Sequence, residues 1–530
     1  MNSHRIDLSF NYGYKWFGNE TIRVKGWIID ENGKSVRDTE LIAYFQGIDS
    51  TNAMKELLAK TGGHFAVVIT TDNGLIAAVD RGRSIPLYYR TDRGVTEIAD
   101  SGFLLSTNPA DDKLNEFACL EYLAAGHVTG NKTLINSVFQ IGAGEIATFN
   151  NQGVQLETYF NYLPTSNRNE TFSALSEEFL NILEADYREI IEGLNGRTVV
   201  IPLSGGYDSR SIAAMFKRMG YTNVICYSFG KAENPEKSTS KAVADALGFK
   251  WLFVETTPAM IPQFAQGEEF LRYVDFAANA GSFYIIQDYF AIKHLHETNQ
   301  IPTDAVIMPG HSGDTLGGSN FLELLSGTEN RDEMVEKIIK HRYDLNPVPS
   351  NFINKIRSEL VLQYGDYKNP AIWFDFWCMK EWNPKMFANG VRVYEFFGYS
   401  YFLPLWGKNM LAFFANLPLE HRIRKELYEF TLETRIFEPL GINLSPERRK
   451  RYSHKTTLFQ HCKNCIKRII PTTIKFKHFT FDPINSRLYC EELIRNGNER
   501  GFSIAANGTN SIKVQWYLNM IKQRIANTKK

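Results

Sequence analysis

The 530-residue sequence lacks any net charge: 59 Lys plus Arg balance 59 Asp plus Glu. This disfavours a whole-chain polyelectrolyte built to coat nucleic acid. No apolar run approaches the roughly 18 residues that span a bilayer, and Met1 to Asp7 carries no apolar signal stretch. Six dispersed cysteines do not make a disulfide framework. No internal repeat, no G-x-x-x-x-G-K-[ST] loop and no G-x-G-x-x-G fingerprint occurs. The apolar share of 43% and charged share of 22% exclude wholesale disorder. Aromatic residues, at 13%, call for large cores or flat ligand-facing surfaces. The sequence predicts a cytoplasmic enzyme of several domains, without a membrane span and with no strong nucleic-acid signal.

The first 160 residues are strand-rich. His64–Thr71 and Leu75–Asp80 flank an Asn73-Gly74 turn and predict a hairpin, with a further strand over Pro86–Arg90. A segment rich in Asn, Ser, Thr and Pro from Asn161 to Thr171 reads as a linker. Helical spacing over Phe172–Leu194 is followed by strands at Thr198–Leu203, Val224–Phe229 and Trp251–Glu255. Helices at Ser209–Met219 and Ser238–Leu247, ended by Gly220 and Gly248, separate them. Strands alternating with helices imply an α/β fold with a parallel sheet. Residues 260–300 and 330–440 read as helical and aromatic, and 448–481 hold ten Lys or Arg and no acid.

Ser204-Gly205-Gly206-Tyr207-Asp208-Ser209 joins the first of these strands to its helix. Ligands of open α/β sheets bind beyond the carboxyl ends of strands, where this loop lies. Two glycines let the backbone approach a phosphate chain, and the helix start presents its positive end. Ser204 and Ser209 add hydroxyl donors. Asp208 repels phosphate unless a cation intervenes, so it reads as a Mg²⁺ ligand.

Leu203 to Ser209 resembles the pyrophosphate loop of the ATP pyrophosphatases, specifically the asparagine synthetase group. Tyr227-Ser228-Phe229-Gly230 is similar to the stretch where that group contacts adenine through its backbone. Pro309-Gly310-His311-Ser312-Gly313-Asp314-Thr315-Leu316-Gly317-Gly318 resembles the group's S-G-E-G-A-D-E…G-G loop. Leu403–Trp406 and Phe414–Pro418 resemble its helical substrate-side segment. Gly63–Ala66, Asp80-Arg81, Pro86–Tyr89, Glu121–Leu123, Gly126 and Thr133-Leu134 resemble the matching glutaminase domain.

The resemblance implies a degenerate glutaminase-like (Ntn-type) α+β sandwich over 1–160. It further implies an ATP pyrophosphatase domain over 172–440, with an adenine-nucleotide α-hydrolase-like sheet and a helical extension, and leaves a basic extension over 441–530. It implies ATP bound by Leu203, Ser204, Gly205, Gly206, Ser209, Phe229, Pro309 and Gly310, and Mg²⁺ bound by Asp208 and Asp314. The implied reaction adenylates a carboxylate, releases pyrophosphate and passes the acyl group to ammonia or an amine.

Departures from the pattern shape that expectation. Asn2 stands where the glutaminase has its cysteine nucleophile, the first cysteine is Cys119, and the N-G-E-x-Y-N motif is absent. An amide cannot replace a thiolate, so glutamine hydrolysis is not expected and nitrogen comes from solution, a separate protein or an amine substrate. His311 replaces the family's glutamate, as a general base or a loop hydrogen-bonding residue. Ser400 and Phe402 stand near where the family reads its substrate, which favours an acid other than aspartate, such as a uronic-acid sugar or a peptide carboxylate. Glu395 and Glu420 are candidates to orient the amine, or surface carboxylates. In the basic segment, Lys450 or Lys455 reads as a pyrophosphate ligand, and the whole as an acidic-partner or membrane surface or a solvated face. Cys462 and Cys465 with His454 and His461 make half a zinc site at most. A homodimer is compatible with all of this. The rival functions are asparagine synthesis from free ammonia and a non-catalytic nucleotide-binding scaffold.

Overall fold

A computed structural model describes residues 3–92, 94–105, 113–163, 165, 168–261, 263–319, 330–365, 367, 369–443 and 482–527. Asn2, Lys450, Lys455, His454, His461, Cys462 and Cys465, with the rest of the 448–481 basic segment, lie outside the described residues.

The expected hairpin forms between Gly62–Thr71 and Gly74–Val79, paired Thr71 to Gly74. Gly74 is required there: its φ is +141°, and a Cβ would lie 1.9 Å from the Phe149 carbonyl oxygen. The hairpin is the centre of a seven-stranded sheet running from Gly153–Thr158 through Glu145–Asn150, the hairpin and Ile22–Ile29 to Phe17–Gly18, with Ser35–Arg37 also paired to Ile22–Ile29. Alternation sets its two faces. Ile28, Phe65, Val67, Ile76 and Ala78 meet Leu41, Phe45, Met54 and Leu58 of two short helices. Trp27, Ala66, Val68, Ala77 and Val79 face the main core. The strand expected at Pro86–Arg90 is Tyr88–Asp92, and it belongs to a second, four-stranded sheet with Ser3–Asp7, Val95–Ala99 and Phe139–Gln140. The two sheets form the expected α+β sandwich.

The helix Phe172–Leu194 has the expected bounds, capped by the Thr171 hydroxyl on the Ala174 amide and stopped by Asn195 in the left-handed region. It precedes a wholly parallel five-stranded sheet ordered Lys250–Glu255, Val224–Gly230, Val199–Pro202, Val306–Ile307, Ser400–Tyr401. The helix after Val199–Pro202 is Tyr207–Arg218, starting two residues earlier than expected, and the one after Val224–Gly230 is Pro235–Leu247, started by Asn234 and Pro235. The order reverses beside Val199–Pro202. Later strands first add on one side, and then Val306–Ile307 adds on the other. Such a reversal leaves a crevice at the carboxyl ends of the strands.

The outer strand Ser400–Tyr401 is covered by the amino-terminal sandwich, which removes an open edge. His64 Nε2 accepts from the Leu403 amide at 3.0 Å, the Tyr401 hydroxyl donates to the Ser84 carbonyl at 3.1 Å, and Trp27 packs on Phe402 at 4.8 Å between ring centres. A buried ion trio joins the same halves: Glu395 pairs with Lys25 at 2.6 Å and Arg392 at 2.5 Å, all three nearly inaccessible. Residues 482–527 pack into this core. Lys231 N donates to the Pro483 carbonyl at 2.8 Å, Tyr284 to the Lys513 carbonyl at 3.0 Å, and Trp516 is fully buried.

Breaking a buried ion cluster from one side leaves uncompensated charge, at a cost of about 3–5 kcal/mol. Glu395→Ala is therefore expected to destabilise the protein by an amount in that range, read from the urea midpoint; an unchanged midpoint contradicts this role.

Candidate active site

The crevice is a cleft of about 540 Å³ whose lining includes Ser204, Gly206, Asp208, Ser209, Phe229, Pro309, Gly310, His311 and Asp314. Two loops from the strands on either side of the reversal close on each other. Asp208 Oδ2 accepts from the Asp314 amide at 2.9 Å. A Cβ at Gly310 would lie 2.6 Å from Ser209 N and 3.0 Å from Asp208 Cβ, so only glycine permits this approach. The turn into Asp314 holds Ser312 at φ +75°, braced by its hydroxyl on Asn383 Oδ1 at 2.7 Å.

The first loop is braced from within. The Ser204 and Ser209 hydroxyls bond each other at 2.9 Å, Ser209 Oγ accepts from the Ser204 amide at 3.0 Å, and Ser204 Oγ accepts from the Gly206 amide at 3.1 Å. These hydroxyls therefore set the loop's shape, a task the sequence does not reveal. Buried Arg210 reaches back to the Gly205 carbonyl at 2.8 Å. The helix that follows begins at Tyr207 with Gly206 as its cap, and no described side chain caps it. Its positive end therefore faces the cleft. Leu203 and Gly205 sit behind the lining, Leu203 bonded through its amide to the Tyr227 carbonyl at 2.7 Å.

Burial, and then the charge of Asp314, push the Asp208 carboxyl up to about 7, against hydrogen bonds from the Tyr428 hydroxyl at 2.8 Å and the Asp314 amide. Two carboxylates crowded in this way are the donor set for a hard divalent cation that completes its shell with phosphate oxygens and water. No group of three or more His, Cys, Asp or Glu that could hold a metal occurs among the described residues. Asp208 and Asp314 are the adjacent carboxylates at this end of the two loops that could share such a cation.

His311 faces the cleft with its Nδ1 sealed from solvent and, among the described residues, without a hydrogen-bond partner. Burial pushes its imidazole down to about 4, so it is uncharged at neutral pH, below the ordinary value the sequence suggests. Gly390 makes room for its ring: a Cβ there would lie 2.8 Å from His311 Cε1.

Several lining residues carry no sequence signal. Asp288, Tyr394, Lys425 and Glu429 join the cleft from helical segments far apart in the chain, with Lys425 paired to Glu429 at 2.6 Å. Other candidates fall elsewhere. Glu395 is consumed by its buried ion trio, Glu420 is exposed, and Phe402 packs against Trp27 and His64. Neither Ser400 nor Phe402 is part of the cleft lining.

Residues 195–431 match the asparagine synthase family model, which bears out the resemblance for that domain. No curated protein matches. Among solved structures, the chain is similar to NMN synthetase from Francisella tularensis at 13% identity, over 39% of this chain and 78% of that one, with TM-score 0.18. It is similar to NH3-dependent NAD synthetase from Campylobacter jejuni at 16% identity, over 37% and 76%, with TM-score 0.18. It is also similar to the glutamine phosphoribosylpyrophosphate amidotransferase of B. subtilis at 11% identity, over 68% and 76%, with TM-score 0.19. At these scores the similarities carry no argument.

Because folded Asp208 holds its proton up to about pH 7, against 3.8 for an ordinary carboxyl, the nucleotide-free protein loses stability as pH rises between those values. In Asp208→Asn, the amide oxygen can accept from the Asp314 amide while its N–H donates to Tyr428. The variant is expected to fold and to show a flatter thermal midpoint from pH 5 to 7.5 than the parent. Identical pH profiles contradict the assigned environment.

Proposed function

We propose, taking residues 195–431 as an asparagine synthase domain, that the protein is an ATP-dependent amide ligase that forms AMP and pyrophosphate. It adenylates a carboxylate and transfers the acyl group to ammonia or an amine. The observation that carries this reading is the closure of two acidic loops over one uncapped helix start, with the Asp208 carboxylate bonded to the Asp314 amide.

In this reading the loop 204–209 and the positive end of the helix Tyr207–Arg218 hold the nucleotide's phosphates. Phe229, at the end of the neighbouring strand, offers the cleft a flat apolar wall for the purine. Asp208 and Asp314 would hold Mg²⁺, which would neutralise phosphate charge and stabilise the departing pyrophosphate. The carboxylate substrate attacks the α-phosphorus in line, the bond from the α-phosphorus to the oxygen bridging the β-phosphate breaks, and pyrophosphate leaves. The amine then attacks the acyl carbon, losing a proton to solvent as the acyl–phosphate bond breaks and AMP leaves. His311 is uncharged, and its sealed Nδ1 offers an imidazolium no acceptor. This supports a hydrogen-bonding role through Nε2 over that of general base.

The amino-terminal sandwich is proposed to supply no glutaminase activity. The residues carrying its resemblance serve structural ends: Asp80 accepts from the Phe65, Gly82 and Ser84 amides, and His64 ties the sandwich to Leu403. Cys119, Cys226, Cys378 and Cys490 are all buried, their thiols pushed up to about 11 or 12. None of these four offers a thiolate. No described helix is long and apolar enough to cross a membrane.

The test is pyrophosphate release from ATP and Mg²⁺ with ammonia and a panel of carboxylates comprising aspartate, uronic-acid sugars, nucleotide-linked uronates and short peptides. Release with one acid is expected, with AMP in equal amount, and Asp208→Asn and Asp314→Asn are each expected to lower it by roughly a hundredfold or more. Release of orthophosphate with ADP, or full turnover by Asp208→Asn, overturns the proposal.

A further inference from the structure

Asp288 lies in the first turn of the helix Gln287–Glu297 and reaches the cleft beside Tyr394. One of its oxygens, Oδ1, accepts from both the Tyr227 hydroxyl at 3.3 Å and the Tyr394 hydroxyl at 3.2 Å. No hydrogen bond to Oδ2 and no ion pair to the carboxylate is made by any described residue. Burial pushes the carboxyl up to about 6 while the two phenols oppose it, so the group is mostly ionised at neutral pH. A charged carboxylate that lines a ligand cleft with one oxygen, Oδ2, lacking a described donor calls for an explanation.

Its position supplies one. Tyr227 and Phe229 lie two residues apart on Val224–Gly230 and so point to the same face, with ring centres 6.4 Å apart and planes 29° apart. Asp288 is thereby tied to the strand that carries the cleft's flat wall. No hydrogen bond joins it to either acidic loop among the described residues. Asp288 thus lines the cleft together with Phe229 and Tyr394, on elements separate from the amide-rich loop 204–209.

We infer that Asp288 reads the nucleoside of bound ATP, Oδ2 accepting a hydrogen bond from the exocyclic amine of the purine or from a ribose hydroxyl. This rests on the ATP reading given under Proposed function. An ionised carboxylate accepts and never donates, so it selects a 6-aminopurine over a 6-oxopurine, or a ribose over its deoxy form. Tyr227 and Tyr394 act through it as positioning residues, fixing the plane of the carboxylate by donating to Oδ1.

The test is equilibrium binding of ATP, ITP, 2′-deoxy-ATP and 3′-deoxy-ATP to the full chain with Mg²⁺, without a carboxylate substrate. The parent is expected to bind ITP, or one deoxy nucleotide, roughly tenfold or more weakly than ATP, the loss of one charge-assisted hydrogen bond. If the amine is the donor, Asp288→Asn shifts preference towards ITP, because the phenols hold the amide oxygen and leave its N–H facing the base. If a ribose hydroxyl is the donor, Asp288→Ala removes the penalty for the corresponding deoxy nucleotide. Equal binding of all four nucleotides by the parent overturns the inference without recourse to any variant. So does an Asp288→Ala protein with the parent's selectivity. Failure of the parent to bind any of them instead refutes the ATP reading itself.

Discussion

The reversal of strand order beside Val199–Pro202 is the constraint on which the cleft depends. Strands added first on one side and then on the other leave the loops after Val199–Pro202 and Val306–Ile307 unobstructed by a crossover helix. Both loops are acidic, and the backbone geometry forces them together: glycine at 310 is the only residue that permits the approach to Ser209 and Asp208. The Asp208 to Asp314 amide bond then locks one loop onto the other. The result is a carboxylate held against its own solvation preference.

In the amino-terminal sandwich, polar residues serve its own packing and its junction with the parallel sheet. His64, Asp80 and Trp27 bond or pack within the sandwich and against Leu403 and Phe402. The Lys25, Glu395 and Arg392 trio sits at the same junction. The sandwich covers the edge strand Ser400–Tyr401, leaving the parallel sheet closed on that side. Residues 482–527 brace the opposite flank, Pro483 and Asn485 bonding to Lys231 and Thr256 and Lys513 to Tyr284. The sheet that positions the cleft is therefore held from both directions by segments outside 195–431.

Much of the fold was legible from the sequence because it is written locally. The Phe172–Leu194 helix carries its cap and its period, the Asn73-Gly74 turn its positive φ, and the βα alternation its parallel sheet. The main site residues were legible for the same reason: Ser204 to Ser209 and Pro309 to Asp314 are contiguous strings, and each sits whole at the end of a strand. Local pattern is silent on pairing and burial. It does not say that the strand Tyr88–Asp92 joins a different sheet from the hairpin before it, and Glu395, read as orienting the amine or as a surface carboxylate, is buried in an ion trio.

The sequence by itself determined the strand-loop-helix unit at 199–218, the acidic positions 208 and 314, and the glycines that let backbone approach backbone. These depend on residue type and short-range spacing. Only the tertiary structure decided that the Ser204 and Ser209 hydroxyls spend themselves on each other, that His311 is uncharged, and that Asp288, Tyr394, Lys425 and Glu429 share the cleft. Those outcomes depend on how the loop folds on itself, on burial, and on contacts between distant segments, such as Asp288 with Tyr394, 106 residues apart. A pKa and a hydrogen-bond partner are properties of a surrounding, and the surrounding exists only once the chain has folded.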